Sequence, residues 1–268
     1  MSYAAWLVLI SVVFVVVERL APRRPDPGML RRGLATDLFY VAFNGHLLGV
    51  LLWMFYGRLA EPFGRLIGGA GIGGIVHARA AAAWPLWLQF VSAFLVIDLI
   101  KWAIHNLLHR VPALWRIHQV HHSIETMDWL GSMRFHFGEA LIYDALLYLP
   151  LAVLGFSGEV MFALAVAGTA IGHFNHANLR VSIGPLRYLI NSPEMHVWHH
   201  VHPDAGPVNR NFGINLSLWD WIFGTAFLSP DGSAPARLGF AGIERFPADP
   251  VRQTVWPVMA RTSRRCAA

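Results

Sequence analysis

The composition of this 268-residue chain is that of a membrane protein, since 55% of its residues are hydrophobic and only 14% are charged. An ordinary soluble domain carries about a quarter charged residues. The mean hydropathy of +0.45 excludes a disordered chain, a disulfide scaffold and a nucleic-acid-binding module. The single cysteine, Cys266, excludes an intramolecular disulfide and a thiolate metal site. By contrast, the chain has 14 histidines, and 11 of them lie between His105 and His200.

The first apolar segment runs from Tyr3 to Val17 and, with the three residues that follow, is long enough to span a bilayer of about 30 Å. No basic residue precedes it and no small-x-small cleavage site follows, so we predict a retained transmembrane helix and not a cleavable signal. The next connection contains three prolines and is the most basic loop of the chain. Five arginines lie at the end of the predicted helix and in this connection, and they are Arg19, Arg23, Arg24, Arg31 and Arg32.

Two further spans are predicted before the histidine-rich region. The second covers residues 38–56 and leads into a glycine-rich loop at residues 64–74. The third begins near Trp84-Pro85 and is apolar to Ile97, after which Asp98 and Lys101 interrupt the pattern and the helix is expected to continue into water.

A later apolar block, residues 140–171, predicts a helical hairpin. Pro150 and the segment 155–159 divide it into halves of about 15 and 12 residues, each short for a full crossing. From Arg180 onward charges, prolines and glycines become frequent, as in a polar cap. The sequence predicts an all-α membrane bundle of about three spans plus this hairpin, with a histidine-rich helical cap. We divide the chain into residues 1–83 (membrane helices and glycine-rich loop), 84–228 (catalytic domain) and 229–268 (cytoplasmic tail).

The arginine-rich loop orients this bundle, because basic loops stay on the cytoplasmic side of a membrane. The amino terminus then faces outward, the second span exits, and the third re-enters so that His105 emerges in the cytoplasm. The hairpin starts and ends there as well. All the histidine clusters are therefore predicted on the cytoplasmic side, most simply of the cell inner membrane.

Three histidine clusters have helical spacing. Asp98, Trp102, His105 and His109 are separated by 4, 3 and 4 residues, which places them on one stripe of a helix. Two trios with offsets of 3 and 4 each place three imidazoles within an arc of about 100°, so that a trio can bind a metal from one side. These trios are His118, His121 and His122, and His196, His199 and His200.

The remaining histidines divide into candidate ligands and ordinary packing residues. His176 follows the predicted hairpin directly and is a candidate ligand, and His136 and His173 are weaker ones. We interpret His46, His77 and His202 as packing or surface residues. Eight or more imidazoles exceed what one ion holds, which favours two metals, and nitrogen donors alone leave Fe, Zn, Cu and Ni open. The absence of His-x-Glu and His-Glu-x-x-His patterns disfavours a zinc deaminase or a gluzincin-type protease.

The three clusters, in this order after membrane spans, resemble the histidine boxes of the fatty acid hydroxylase superfamily, also called the sterol desaturase family. The resemblance covers about residues 90–228. One departure is Asn106, where the family usually has arginine, and this removes no ligand. The flanking residues that agree include Asp98, Trp102, Leu114-Trp115, Ser123, His176-Ala177-Asn178, Asn211-Phe212-Gly213 and Trp219-Asp220.

This resemblance implies an integral membrane enzyme with a non-haem diiron centre, which uses O2 to hydroxylate or desaturate an unactivated C–H bond of a lipid. Sterols, fatty acyl chains, alkylglycerols and carotenoids all remain open as substrates. The sequence contains no recognisable electron-carrier module, so electrons are expected from a separate reductase or ferredoxin. No nucleic-acid partner is expected.

Two residues are singled out for roles beside the metals. Ligand histidines usually donate their second N–H to a carboxylate or a carbonyl, and Asp98 is the first candidate, ahead of Glu139, Glu194 and Asp220. Asn178 is placed to hydrogen-bond a ligand or a metal-bound water. A different hypothesis is a membrane protein that binds or transports Zn2+ through its histidines, and a third is an inactive structural relative. The intact set of ligands disfavours both.

Overall fold

A computed structural model describes residues 1–24, 31–49, 51, 54 and 81–259, and the regular secondary structure in this part of the chain is helical. The described residues also form two isolated β-bridges, one between Pro22 and Leu179 and one between Val201 and Leu238. Short 3-10 turns connect the longer elements. The helices are α1 (Tyr3–Leu20), α2 (Leu34–Ala42), α3 (Leu86–Arg110), α4 (Pro112–His122), α5 (Phe137–Val153), α6 (Gly158–His176), α7 (Pro193–His199), α8 (Leu218–Phe223) and α9 (Pro250–Met259).

Two of the described helices are long and apolar enough to cross a membrane, α1 with 18 residues and α3 with 25. Only 11% of the apolar window of α1 is buried within the protein, so most of its valine and leucine side chains face outward. Pro85 precedes the first turn of α3, where its missing N–H costs no hydrogen bond. As predicted, α3 continues past Asp98 and Lys101.

The second predicted span is only partly visible. α2 begins at Leu34, four residues before the predicted start, and passes into a π-helical turn at Phe43–Leu47. The end of this span and the glycine-rich loop at residues 64–74 lie outside the described residues.

The predicted hairpin consists of α5 and α6, which pack on α3. Its turn lies at residues 154–157, where Gly155 has a positive φ of 81° and the Ser157 side chain caps α6 by accepting from Val160 N. The expectation that Pro150 divides the hairpin is wrong, because α5 continues through it to Val153. The two helices therefore have 17 and 19 residues instead of about 15 and 12. Their buried core joins α3 through Ala93, Ile97, Leu147, Leu151, Val160 and Leu164.

The carboxyl-terminal ends of α1, α3 and α6 lie at one end of the bundle. The Glu18 carboxylate near the end of α1 accepts from the backbone N–H groups of Trp129 and Asn178, at 2.9 and 2.7 Å. Just beyond α1, Arg23 donates to the carbonyls of Gly232 and Ser233. The arginine-bearing segment is thus at the same end as the polar carboxyl-terminal region, and the amino terminus is at the other.

Candidate metal centre

Nine histidines converge at this end of the bundle, and four helices supply them. α3 contributes two from its last two turns, α4 three, α6 its final residue, and α7 two, with the residue after α7 completing the set. Within each of two groups, the candidate ligand nitrogens all lie within 4.8 Å of one another. The first histidine group is His105, His109, His118, His122 and His199, and the second histidine group is His121, His176, His196 and His200.

Each trio is divided between the two groups. His118 and His122, four residues apart on α4, belong to the first group, whereas His121 turns toward the second. In the other trio His196 and His200 share the second group and His199 joins the first. The expectation that one trio binds one metal from one side is therefore wrong, because the last two residues of each trio are adjacent and point about 100° apart, toward different groups.

The inward-facing atoms are the Nε2 nitrogens. In the first group Nε2 of His105 lies 3.0 Å from Nε2 of His118, and Nε2 of His122 lies 3.1 and 3.0 Å from those of His109 and His199. In the second group the Nε2 atoms of His196 lie 3.1 and 3.2 Å from those of His176 and His200.

Where an outward-facing Nδ1 atom donates to a backbone carbonyl, it fixes the protonation of its ring. Nδ1 of His105 donates to the Phe212 carbonyl at 2.7 Å, and Nδ1 of His199 to the Arg210 carbonyl at 2.8 Å. A carbonyl only accepts, so the proton is on Nδ1 and the Nε2 lone pair faces the cluster. Lone pairs about 3 Å apart repel unless a cation lies between them. The donor set therefore fits two metal ions, one held by five and one by four neutral nitrogens.

Two acidic networks hold these rings. Glu139 on α5 is buried and its carboxylate accepts from Nδ1 of His118 at 2.9 Å. The Arg134 carbonyl accepts from Nδ1 of His121 at 3.0 Å, and the Arg134 guanidinium donates to Asp37 at 2.6 Å. Arg31 joins Asp37 at 2.6 Å, so one of the arginines of the basic loop is a buried support of the second group.

The predicted site residues outside these groups have other partners. His136 accepts from Gly138 N at 2.9 Å and its other nitrogen donates to the Thr254 carbonyl at 2.8 Å. His173 lies between the hydroxyls of Ser132 and Ser11, at 2.9 and 3.3 Å. Both rings are therefore satisfied without belonging to either group. His46 is exposed and His202 accepts from Asp204 N, whereas His77 lies outside the described residues.

Among the described residues, neither Asp98 nor Asn178 contacts one of the nine clustered histidines. The Asp98 carboxylate accepts from the N–H groups of Asn215 and Leu216, at 3.0 and 2.9 Å, and from Trp219 Nε1 at 3.1 Å. Asn178 pairs with the backbone of Arg24 on both sides of its amide. In the described part of the chain, the carboxylate that contacts one of these histidines is Glu139. The sequence could not identify the backbone carbonyls that accept from the histidines, because every residue has a backbone carbonyl.

Burial lowers the pKa of the histidines on α4 and α7 and of the one that directly follows α7, since a charged imidazolium loses its solvation there. The six are His118, His121, His122, His196, His199 and His200. Below about pH 6.5, the ordinary pKa of histidine, the unfolded chain takes up protons that the folded chain does not. Stability thus decreases as the pH falls through this value, and protons also displace metal. We expect metal content and the thermal midpoint to fall together between about pH 7 and pH 5; constant values would contradict neutral, metal-binding rings.

Comparison with known proteins agrees with this geometry. A model of the fatty acid hydroxylase family matches residues 90–225, just over half of the chain. An ornithine lipid hydroxylase from Rhizobium tropici is 33% identical over 159 residues, which are 59% of this chain and 47% of that protein. Human alkylglycerol monooxygenase is 31% identical over 144 residues, 53% of this chain and 31% of the relative.

A more distant relative extends further along the chain. A very-long-chain aldehyde decarbonylase of Oryza sativa subsp. indica is 24% identical over 238 residues, 81% of this chain and 35% of the plant protein. The chain spans about half the length of the bacterial relative and about a third of the other two. No solved structure matches it significantly. The family match covers all nine clustered histidines, and the chain belongs to the fatty acid hydroxylase family.

Proposed function

We propose that the protein is a membrane-bound non-haem diiron oxygenase that uses O2 to hydroxylate an unactivated C–H bond of a lipid. The observation that carries this proposal is the division of nine histidines into adjacent groups of five and four, with Nε2 facing inward. Neutral imidazole suits iron, and four to six ligands satisfy one ion. Two bound iron ions would supply the electrons and the coordination sites that activate O2.

The residues of this chain would hold and shield that centre. Eight of the nine histidines are buried and His109 is half-buried, so bulk water has little access to the ligand atoms. The hydrogen bonds from Nδ1 to carbonyls and to Glu139 hold five of the nine rings in one orientation, those of His105, His118, His121, His176 and His199, and such bonds orient metal ligands. Exclusion of water also limits loss of the oxidant to side reactions.

The substrate that we propose is a membrane lipid, and the reaction is hydroxylation in preference to desaturation. Two of the relatives are named for hydroxylation or monooxygenation, one of ornithine lipids and one of alkylglycerols. The outward apolar faces of α1 and α3 offer a lateral route from the bilayer, since residues such as Val12 and Val96 are about half exposed. A membrane lipid would thus reach the centre without crossing water.

We further propose that the histidine end of the bundle faces the cytoplasm, in the inner membrane of the cell, and that a separate reductase or ferredoxin delivers electrons there. The position of Arg23 and Arg24 at this end supports the orientation, because basic segments flank spans on the cytoplasmic side. The ligands all lie between His105 and His200, which supports residues 84–228 as the catalytic unit.

A metal and product assay tests the proposed activity. The full chain, purified in detergent and reconstituted with iron, is expected to hold two iron ions per chain and to consume O2 when a reductase, a ferredoxin and extracted membrane lipid are supplied. Mass spectrometry should show a lipid that has gained one oxygen atom. His136→Ala is the matched control, since it removes a buried imidazole outside both groups, and it should retain two irons.

Three outcomes would contradict the proposal. Stable binding of zinc in place of iron, without O2 consumption, would favour the hypothesis of a metal-binding or transport protein. A lipid product that has lost two hydrogens without gaining oxygen would replace hydroxylation by desaturation. Retention of one iron or none by a folded protein would reject a diiron centre.

A further inference from the structure

An apolar surface lies on the polar cap, beside the membrane-spanning region. It is formed by α8 and the neighbouring turn at Gly184–Tyr188, which are joined because Trp221 Nε1 donates to the Arg187 carbonyl at 3.0 Å. The Tyr188 and Trp221 rings pack at a centroid distance of 4.8 Å. We call this surface the cap patch, and its exposed residues are Leu186, Tyr188, Leu189, Trp221, Ile222 and Phe223. Of these, Leu186 and Ile222 are the most exposed, at 55% and 58%.

The cap patch is continuous with the outer face of α3. Phe223 stacks on Trp102 of α3 with ring centroids 4.5 Å apart. On the same helix, Val91 and Val96 expose 47% and 53% of their surface. A contiguous apolar surface of this kind is rare on a soluble domain and usually marks an interaction site. One part of this surface is the outer face of α3, a candidate membrane span. A bilayer that covers α3 would also cover the adjoining cap patch, which explains why both are apolar.

The spacing of aromatic residues along α3 gives an independent measure of depth. Trp84 and Trp87, at the start of the span, are 41% and 67% exposed, and Trp102 marks the other end. At about 1.5 Å per residue, the helix rises about 22 Å from Trp87 to Trp102, and Trp84 lies just before the helix begins. A hydrocarbon core is about 30 Å thick, and tryptophan concentrates at its two boundaries. Trp102, and with it Phe223, therefore lies where the second boundary is expected.

We infer that the cap patch is embedded in the lipid interface on the histidine side of the membrane and holds the cap against the bilayer. Its composition fits that location, because tyrosine and tryptophan prefer the interface and the Arg187 guanidinium, 5.7 Å from the Tyr188 ring centroid, can reach phosphate groups. This inference rests on membrane insertion of α3 and not on oxygenase chemistry.

The embedded patch fixes the depth of the metal centre. His105 and His109 follow Trp102 by one and two turns of α3, so these two members of the first histidine group lie about 5–10 Å beyond the hydrocarbon boundary. The lipid carbons nearest the centre are then those close to the headgroup. A carbon at the end of an acyl chain would have to bend back from the bilayer midplane to reach it.

Spin labels test the location directly, in full-length protein in phosphatidylcholine and phosphatidylglycerol liposomes. Single cysteines are placed by Leu186→Cys and Ile222→Cys in a Cys266→Ser background. Val96→Cys gives a hydrocarbon reference and Glu244→Cys, in an exposed polar turn, gives an aqueous reference. At both patch positions the collision rate with O2 should exceed that with a water-soluble nickel complex, as at Val96, and the order should reverse at Glu244.

The inference is overturned if the patch labels behave like the label at Glu244. It is also overturned if they exclude both reagents, which indicates a protein contact. Spin–spin broadening that disappears on dilution with unlabelled protein would identify that contact as a second copy of the chain. Metal content equal to that of the unlabelled protein verifies that each labelled variant is folded. If the label at Leu186 or Ile222 disturbs folding, Leu189→Cys provides a third position in the cap patch. None of these readouts depends on O2 consumption, so the proposed activity can fail independently.

Discussion

Replacing His200 by alanine is expected to remove one of the two metals and to lower activity by orders of magnitude. His200 belongs to the group of four, so the substitution leaves three imidazoles, and no described carboxylate belongs to that group to replace the lost ligand. The group of five keeps all its ligands. Metal analysis of the purified variant should therefore give about one equivalent in place of two, since a site that loses one of its four nitrogens binds its metal less tightly than the group that keeps five.

A matched substitution in the other group separates ligand loss from general damage. His109→Ala leaves four imidazoles in the first group, so it should retain more metal than His200→Ala although activity falls in both. His173→Ala removes a ring held by two serine hydroxyls and should leave the metal content at two. If His200→Ala kept both metals, the grouping would be wrong. If His173→Ala lost one, that histidine would have to be counted among the ligands.

The spacing of histidines in the sequence predicted the nine residues that the structure brings together, although it also predicted His136 and His173, which belong to neither group. His105 and His109 lie on one stripe of a continuous helix, and His176 follows the predicted hairpin, so local periodicity and chain order placed them correctly. The allocation of ligands to two groups was not predictable, because His121 and His122 diverge only once the placement of α6 and α7 relative to α4 is known.

Supporting contacts were harder to predict than ligands. Asp98 lies on the same helical stripe as His105 and His109, yet its carboxylate accepts from the backbone N–H groups of Asn215 and Leu216. These partners are distant in sequence, so helical spacing could not predict them. We predicted that Pro150 divides the apolar block, but α5 continues through it to Val153. Leu147 and Leu151, on either side of the proline, pack against α3 and stabilise the helix there. Tertiary packing thus overrode a local breaker signal.

The buried carboxylate of Asp220 explains why the closing Asn-Phe-Gly and Trp-Asp motifs accompany the histidines. Asp220 accepts from the backbone N–H groups of Phe212 and Gly213 at 2.9 and 2.7 Å, from Thr225 Oγ1 at 2.5 Å and from Trp102 Nε1 at 3.1 Å. The loop that it holds carries the carbonyls to which His105 and His199 donate. A Cβ on Gly213 would lie 2.3 Å from the Leu216 carbonyl oxygen, so glycine is required for this close approach.

Asp220→Ala is accordingly expected to weaken metal binding in the first histidine group alone. Each buried donor left without a partner costs about 1–3 kcal/mol, and loss of a contact that orients a ligand lowers metal affinity by about 10- to 100-fold. His121 and His176 donate to carbonyls outside this loop, so the second group should keep its metal.

Titration with a chelator tests this prediction. One equivalent of metal should leave at a lower chelator concentration than in the wild-type protein, and the other at the same concentration. Asp231→Asn, at an exposed carboxylate, should change neither step. Equal weakening of both metals would show that Asp220 supports the fold as a whole and not the ligands His105 and His199.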